Sequence, residues 1–204
     1  MPETVTVYYD YVCPFAWRGA ELAELVGPEL DLSFVWRHFS LYQNNYQGSD
    51  GWQLWNQKLS YDEGGDKGLL PFLASCSARL QGKELHDRFR LGLMRARHLD
   101  HQPFSLKTVR KVAEEAGLEL ARFESDFANP ERRTVLAQEH HQAASQNVFG
   151  TPTFSFESGH TAYFRIREYP RDPAEATELF TFYRRWLEDY PYVETVKRPR
   201  SKGN

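Results

Sequence analysis

The order of strand and helix patterns constrains the fold of this chain more than any other feature of its sequence. Residues 4–11, TVTVYYDY, are rich in β-branched and aromatic side chains, as in a buried strand. Residues 14–26 are helical in composition, and Gly27–Pro28 is expected to end that helix. Residues 30–41 alternate over much of their length and predict a second strand. This order indicates two parallel strands joined by a crossover helix.

A long helical region follows this unit. From about residue 52 to residue 146 we find helical patterns and no convincing strand. The helical patterns fall at residues 51–63, 70–100, 105–118, 119–128 and 130–146. Because this region is too long for a crossover connection, we expect a helical insertion at 46–146 within a domain made of 1–45 and 147–204.

Strand patterns return after the helical region. NVFGTPTFSF, at 147–156, and TAYFRI, at 161–166, flank a short glycine-bearing turn and predict an antiparallel hairpin. Residues 172–190 begin with Asp–Pro and predict a final helix. The expected fold class is α/β, with a mixed four-stranded sheet built from about residues 4–10, 32–39, 153–157 and 162–166.

The composition excludes several function classes. A net charge of −3 provides no positive field for nucleic acid, and we expect the basic tail at 197–204 to be a solvated end. The sequence has neither a secretory signal pattern nor an apolar run of the ~20 residues that a membrane span needs. Two cysteines among 204 residues fit a reducing compartment. We therefore expect a cytoplasmic protein that binds neither nucleic acid nor membrane.

Cys13 is the first candidate for chemistry. It lies where the first strand ends and the first helix begins, directly before Pro14. The unpaired N–H groups of Phe15 and Ala16 at a helix N-terminus could stabilise a thiolate there, which predicts a pKa below the ~8.5 of a free cysteine. The alternative is a buried structural cysteine, since cysteine is common in protein cores.

Thr151–Pro152 is the second candidate. Proline is a poor residue inside a strand, yet here it directly enters one. A cis peptide bond would expose the backbone of Thr151 beside the first helix, where an extended peptide could pair with it. The alternative is an ordinary trans proline at a sheet edge.

These two motifs together resemble the DsbA-like branch of the thioredoxin superfamily. The similarity rests on Cys-Pro after the first strand, a helical insertion, and Gly-Thr-Pro-Thr-Phe at the third strand. WRHFSL, at 36–41, and the length of the insertion look most like the cytoplasmic, FrnE-like members. Relatives of that branch include kappa-class glutathione transferases and 2-hydroxychromene-2-carboxylate isomerases, which carry a serine at the corresponding position to bind glutathione. The implied fold is thioredoxin-like with a large all-helical insertion.

The resemblance also implies functional residues. Cys13 corresponds to the nucleophilic cysteine of the family's Cys-x-x-Cys motif, but Ala16 stands where the resolving cysteine would be. The implied substrate-binding residues are Pro14, Phe15, Ala16, Thr151 and Pro152. A single thiol cannot store a disulfide internally and pass it on as a dithiol can.

Other residues are weaker candidates for a functional role. Cys76 is the one other cysteine, and we expect it to be too far from Cys13 to bond. Asp10 is either a modulator of the Cys13 pKa or simply a residue at the end of a strand. Arg18 is either an anion ligand or a solvated surface residue. The histidine pairs at 98/101 and 140/141 match no familiar zinc spacing, so we expect no metal site.

Three hypotheses for function remain open at this point. The first is a monothiol oxidoreductase that forms mixed disulfides with a protein, peptide or glutathione and uses glutathione to resolve them. The second is a glutathione-dependent transferase or isomerase. The third is a peptide-binding module without turnover. We expect no bound cofactor, glutathione as a candidate co-substrate, and either a monomer or a homodimer.

Overall fold

The computed structural model describes residues 1–59 and 68–198. Its sheet contains four strands: β1 (Glu3–Tyr9), β2 (Leu32–His38), β3 (Thr153–Phe156) and β4 (Thr161–Tyr163). Their spatial order is β2-β1-β3-β4. β1 pairs parallel with β2 and antiparallel with β3, and β3 pairs antiparallel with β4. The predicted α/β class and mixed four-stranded sheet are confirmed.

The sheet forms where the sequence alternates or is apolar throughout. Val5, Val7 and Tyr9 of β1 are completely buried, as expected for a central strand of the sheet. In the parallel register Val7 faces Trp36 of β2, and in the antiparallel register it faces Phe154 of β3. The carboxyl ends of β1 and β2 therefore lie at the same edge of the sheet.

Eight α-helices surround the sheet in the described residues. They are α1 (Pro14–Glu29), α2 (Leu41–Asn44), α3 (Leu69–Ala78), α4 (Lys83–His98), α5 (Leu106–Glu115), α6 (Leu120–Ala128), α7 (Glu131–Ser145) and α8 (Pro173–Asp189). α1 packs against both α8 and α4. None of the helices in the described part of the chain is long and apolar enough to span a membrane.

The first helix is longer than the sequence predicts. Gly27–Pro28 was expected to end it, but α1 continues to Glu29 with Pro28 inside its last turn. Proline removes one donor from the backbone ladder, yet the N–H of Leu30 still donates to the carbonyl of Val26 at 3.0 Å. The chain turns only at Asp31, whose φ is +49°.

The helical region at 52–146 contains no strand among its described residues. The helix predicted at 51–63 is wrong where the chain is described, because only a 3₁₀ turn, Leu54–Asn56, forms there. Side chains occupy its backbone groups: Gln43 accepts from the N–H of Leu54 at 2.7 Å, and Arg133 donates to the carbonyl of Gln57 at 2.8 Å. Residues 60–63 of that prediction, and 199–204 of the predicted basic tail, lie outside the described residues. The domain boundaries at 45 and 147 stay a prediction.

Candidate functional site

The turn between β1 and α1 is built by a buried aspartate. Asp10 is completely buried, and its two carboxylate oxygens accept from the N–H of Val12 at 3.0 Å and of Leu41 at 2.7 Å. Its carbonyl accepts from the N–H of Cys13 at 3.2 Å. Asp10 thus holds Cys13 at the N-cap of α1 and ties this turn to the end of β2.

Cys13 faces the loop that precedes β3. Its Sγ donates a hydrogen bond to the carbonyl oxygen of Thr151 at 3.3 Å. The Thr151–Pro152 peptide bond is cis, as the sequence predicts. The expectation of an exposed Thr151 backbone is wrong, however, because Thr151 is only 1% exposed and its carbonyl is already engaged by the thiol. The Cys13–Pro14 motif and the Thr151–Pro152 motif are therefore in direct contact.

Gly19 lets α1 approach this loop closely. A Cβ built at Gly19 would lie 2.7 Å from Cγ of Pro152, much nearer than side chains normally approach. A larger residue there would push α1 away from Pro152 or displace the loop. The absence of a side chain at Gly19 therefore helps to set the distance between Cys13 and Thr151.

The environment of Cys13 alters the acidity of its thiol. Burial raises the pKa of Cys13, and the negative charge of Asp10 adds to this effect. The Thr151 side chain and the N–H groups of Ala16 and Phe15 lower it, but they do not offset burial. The predicted pKa below that of a free cysteine is therefore wrong. The helix N-terminus acts as expected, but the sequence did not reveal that Cys13 would be only 6% exposed.

A cavity of about 380 Å³ opens beside the Cys13 sulfur. Pro14, Phe15 and Thr151 line it, as their predicted role in substrate binding requires. Ala16 and Pro152 do not line it, and Ala16 is completely buried. Six further lining residues were missed by the sequence analysis: Val12, Leu41, Phe149, Gly150, Tyr163 and Arg165. The signal for Tyr163 and Arg165 was the alternation of TAYFRI, which places residues two apart on one face.

Cys76 belongs to a different environment. It lies on α3, completely buried against the sheet, and burial raises its pKa to about 12. Its Sγ lies 3.6 Å from Nδ1 of His38. Both Cys13 and Cys76 are free thiols, so the predicted absence of a bond between them is confirmed.

A buried polar network connects the helical region to the carboxyl ends of β1 and β2. Ser75 Oγ lies 2.9 Å from Nε2 of His38, 2.8 Å from Nε2 of His86 and 3.0 Å from the hydroxyl of Tyr9. His38 Nδ1 lies 2.7 Å from Glu139 on α7. Burial lowers the pKa of His38, so we assign a neutral ring whose Nδ1–H donates to Glu139 and whose Nε2 accepts from Ser75.

The Ser–His–Glu order of this network resembles that of a hydrolytic triad. Ser75 and His38 are each completely buried, and neither lines the cavity beside Cys13, so substrate has no access to this serine. Burial would raise the pKa of Glu139, but His38 and Arg79 outweigh it and hold that pKa far below the usual range. The network therefore positions the strand ends that lead into Asp10 and the active turn.

The remaining candidate residues make contacts within the protein and do not line the cavity beside Cys13. Nε2 of His98 contacts the carbonyl of Tyr11 at 2.8 Å, and Nδ1 of His140 accepts from the N–H of Ser40 at 3.2 Å. Arg18 lies 5.3 Å from the centroid of the Phe15 ring but does not line the cavity. Within the described ranges, no group of three or more histidine, cysteine, aspartate or glutamate side chains is arranged to hold a metal ion.

Comparisons with known proteins agree with this architecture. The family model for the DSBA-like thioredoxin domain matches residues 74–174. The uncharacterized protein Rv2286c of Mycobacterium tuberculosis is 22% identical over 202 residues, which cover 98% of this chain and 84% of that protein.

Solved structures share the fold at low sequence identity. The cytosolic disulfide reductase DsbM from Pseudomonas aeruginosa, solved with GSH, has a TM-score of 0.59 at 16% identity, covering 89% of this chain and 99% of that one. A 2-hydroxychromene-2-carboxylate isomerase has a TM-score of 0.63 at 14% identity, covering 94% and 100%. A thioredoxin-like oxidoreductase from Silicibacter pomeroyi has a TM-score of 0.56 at 22% identity, covering 91% and 86%.

The mixed sheet, the helices between β2 and β3, and a cysteine at the start of α1 that faces the loop before β3 define a protein of thioredoxin-like fold. The match to the DSBA-like thioredoxin domain model and the likeness to the solved structures agree on this fold.

Proposed function

We propose that this protein is a monothiol thiol–disulfide oxidoreductase in which Cys13 is the nucleophile. The observation that carries the proposal is the position of the Cys13 thiol, at the N-terminus of α1, against Thr151, and on the wall of an open cavity. Ala16, one turn further along α1, provides no second thiol. The match of this chain to the DSBA-like thioredoxin domain model and its likeness in fold to a cytosolic disulfide reductase support the reaction class.

The reaction proceeds by two thiol–disulfide exchanges. The Cys13 thiolate attacks one sulfur of a substrate disulfide, so a Cys13–sulfur bond forms as the substrate's S–S bond breaks and the second substrate sulfur leaves as a thiolate. The thiolate of an external thiol then attacks the mixed disulfide and releases Cys13. One substrate sulfur is thereby reduced to a thiol, and the other leaves in a mixed disulfide with the external thiol. A second molecule of the external thiol that attacks this mixed disulfide completes the reduction, so two thiols are oxidised to one disulfide.

The groups around Cys13 have distinct roles in these steps. The carbonyl of Thr151 accepts the thiol hydrogen before reaction. After deprotonation, the N–H groups of Phe15 and Ala16 and the hydroxyl of Thr151 stabilise the negative charge, since each lowers the pKa of Cys13. Because burial dominates and raises that pKa, exchange should accelerate as the pH rises through the alkaline range.

Glutathione is the external thiol that we propose. The cavity volume of about 380 Å³ lies within the range of roughly 300–1,000 Å³ that is usual for small-molecule sites. The P. aeruginosa reductase of the same fold was solved with GSH. Two cysteines that are both free also fit a reducing, cytoplasmic setting, which is part of the proposal.

The experiment is single-turnover exchange followed by mass spectrometry. The protein is treated with 4,4′-dithiodipyridine, a small uncharged disulfide, and then with glutathione. We expect one thiopyridyl adduct on Cys13, which glutathione removes, and no adduct at that position in Cys13→Ser. An unreactive Cys13 would contradict the proposal.

A glutathione-dependent isomerase or transferase is the second candidate. The observation that favours it is the same single thiol beside a cavity, in a fold shared with a 2-hydroxychromene-2-carboxylate isomerase. In that case Cys13 would orient bound glutathione without exchanging with it. Glutathione binding that survives in Cys13→Ser, without any mixed disulfide in the wild type, would favour this candidate. The peptide-binding module has less support, because Thr151 is buried rather than exposed for strand pairing.

A further inference from the structure

Arg165 lies on the wall of the cavity that contains Cys13. It follows β4, and its Cζ lies 3.7 Å from the centroid of the Phe15 ring, so the guanidinium packs over the aromatic face. Phe15 in turn is part of the first turn of α1, two residues after the nucleophile. This cation–π contact fixes an exposed arginine beside the reactive sulfur.

In the part of the chain that the structure describes, no acidic side chain neutralises the charge of Arg165. Among residues 1–59 and 68–198, no carboxylate lies within ion-pair distance of its guanidinium. Arg165 is also the one Lys, Arg, Asp or Glu side chain among the described residues that line the cavity. The cavity therefore combines one fixed positive charge with largely apolar walls, which is a suitable environment for an anionic group.

Two further polar groups mark the cavity as a ligand site. Thr151 lines it, and the buried hydroxyl of this residue has no hydrogen-bond partner. Tyr163 also lines it, together with Arg165 and Cys13. Burial raises the pKa of Tyr163, whereas the charge of Arg165 lowers it. Phe149, which is 67% exposed and edge-on to Tyr163, extends the wall toward solvent.

We propose that Arg165 binds a carboxylate of the small thiol whose sulfur reacts at Cys13, and that the site thereby selects carboxylate-bearing thiols of the glutathione class over uncharged thiols. This inference rests on the exchange function proposed above and adds the recognition element. The carboxylate pairs with the planar guanidinium while the ligand thiolate attacks the Cys13 mixed disulfide. The products are a disulfide that contains the ligand and a free Cys13 thiolate.

The test compares two thiols that differ only in their carboxylates. Cys13 is first converted to its uncharged thiopyridyl mixed disulfide with 4,4′-dithiodipyridine. The thiol attacks the Cys13 sulfur, so a mixed disulfide of Cys13 with the thiol forms as the bond to the pyridyl sulfur breaks and 4-thiopyridone leaves. Release of 4-thiopyridone is therefore timed with glutathione and with glutathione diethyl ester, whose carboxylates are blocked. Each rate is divided by the rate of the same thiol with free 4,4′-dithiodipyridine, which removes differences in intrinsic reactivity.

In the wild type we expect glutathione to be favoured over its diester by about tenfold after this correction, as for one partly exposed charge-assisted contact. Arg165→Gln should reduce the preference to near one, and Arg165→Lys should keep part of it, because lysine retains the charge but not the planar fork. Arg167→Gln is the matched control, since Arg167 is exposed and near in sequence but does not line the cavity. High salt should weaken the preference.

The outcomes separate the two proposals. An unchanged preference in Arg165→Gln, or no preference in the wild type, would overturn the recognition role of Arg165 while leaving exchange at Cys13 intact. Failure of Cys13 to form the thiopyridyl adduct, or failure of both thiols to release it, would instead overturn the exchange function. An unchanged diester rate in Arg165→Gln would verify that the variant is folded and reactive.

Discussion

The thiol of Cys13 donates a hydrogen bond to the carbonyl oxygen of Thr151 at 3.3 Å, although 138 residues separate them in the sequence. A carbonyl can accept from a thiol but not from a thiolate, so this contact favours the protonated form. The side chain of the same threonine lowers the pKa of Cys13. The carbonyl of Thr151 therefore favours the Cys13 thiol, and the side chain of Thr151 favours the thiolate.

Thr151→Val tests the role of the hydroxyl. Valine keeps the shape of the side chain but cannot donate to the thiolate, so the pKa of Cys13 should rise further and alkylation near neutral pH should slow. The measurement is the rate of Cys13 alkylation with iodoacetamide across pH, in a Cys76→Ser background. Thr151→Ser retains the hydroxyl and should remain close to the wild type. Equal titration midpoints for Thr151→Val and the wild type would show that the hydroxyl has no such role.

Gly19→Ala tests the close contact between α1 and the Pro152 loop. A Cβ at 2.7 Å from Pro152 must displace one of the two elements, and we expect a loss of about 1–3 kcal/mol in the free energy of unfolding. The exchange rate at Cys13 should also fall, because the displacement alters its contact with Thr151. Urea unfolding and thiopyridyl adduct formation measure the two effects.

Gly27→Ala is the control for that substitution. It lies on the same helix, but its nearest atom would be 3.4 Å from an added Cβ, an ordinary contact. It should lose less stability and leave the exchange rate unchanged. Similar losses of stability in both variants would mean that the close contact with Pro152 does not account for the effect of Gly19→Ala.

Ala16→Cys should convert the site to a dithiol. Position 16 lies one turn after Cys13, and a cysteine there could attack a Cys13 mixed disulfide internally. In a Cys76→Ser background, mild oxidation should then give a protein without free thiols, and mixed disulfides should no longer accumulate. Ala16→Ser is the matched control, because its hydroxyl has nearly the same size but cannot form a disulfide. Two free thiols persisting after oxidation would contradict this expectation.

Acidification should destabilise the fold through its buried histidines. Burial lowers the pKa of His140 to about 4, while an unfolded histidine titrates near 6.5. The unfolded state therefore binds protons first as the pH falls, and the contribution of His140 to stability is complete above pH 6.5 and is lost between pH 6.5 and 4. At pH 5 that loss is on the order of 2 kcal/mol, and His38 and His86 add to it in the same direction.

Urea unfolding between pH 8 and pH 4.5 measures this dependence. His140→Asn should flatten the curve, because an asparagine oxygen can replace Nδ1 as the acceptor for Ser40 without titrating. His141→Asn should change the slope much less, because the charge of the exposed His141 is a smaller cause of the lowered His140 pKa than burial is. An identical pH dependence in the wild type and in His140→Asn would show that His140 does not contribute to the loss of stability in acid.

The elements that local patterns determine could be predicted from the sequence. The four strands and the nucleophile's place before Pro14 follow from alternation and from a proline at the start of a helix. The cis bond at Thr151–Pro152 also agrees with its motif. The missed helix at 51–63 has a tertiary cause, since Gln43 and Arg133 take the backbone groups that a helix would use.

The chemical environment of the site could be predicted from the sequence less well than the strands and helices. The sequence shows the helix N-terminus at Cys13, which lowers its pKa, but not the burial that dominates and raises it. Arg165 meets Phe15 only because β4 lies beside the start of α1 in the fold. Likewise, Glu139 reaches His38 across 101 residues. Such contacts depend on three-dimensional packing and leave little periodic signal.

The central claim is that Cys13 acts as a single thiol that needs an external partner to be released. The most direct measurement is intact-protein mass spectrometry of the wild type, Cys13→Ser and Cys76→Ser after treatment with a disulfide peptide, before and after addition of glutathione. We predict a peptide mixed disulfide at Cys13 that accumulates without glutathione and disappears with it, that is absent in Cys13→Ser, and that is unchanged in Cys76→Ser. Spontaneous release of the peptide through a Cys13–Cys76 disulfide, or the absence of any adduct at Cys13, would contradict the account.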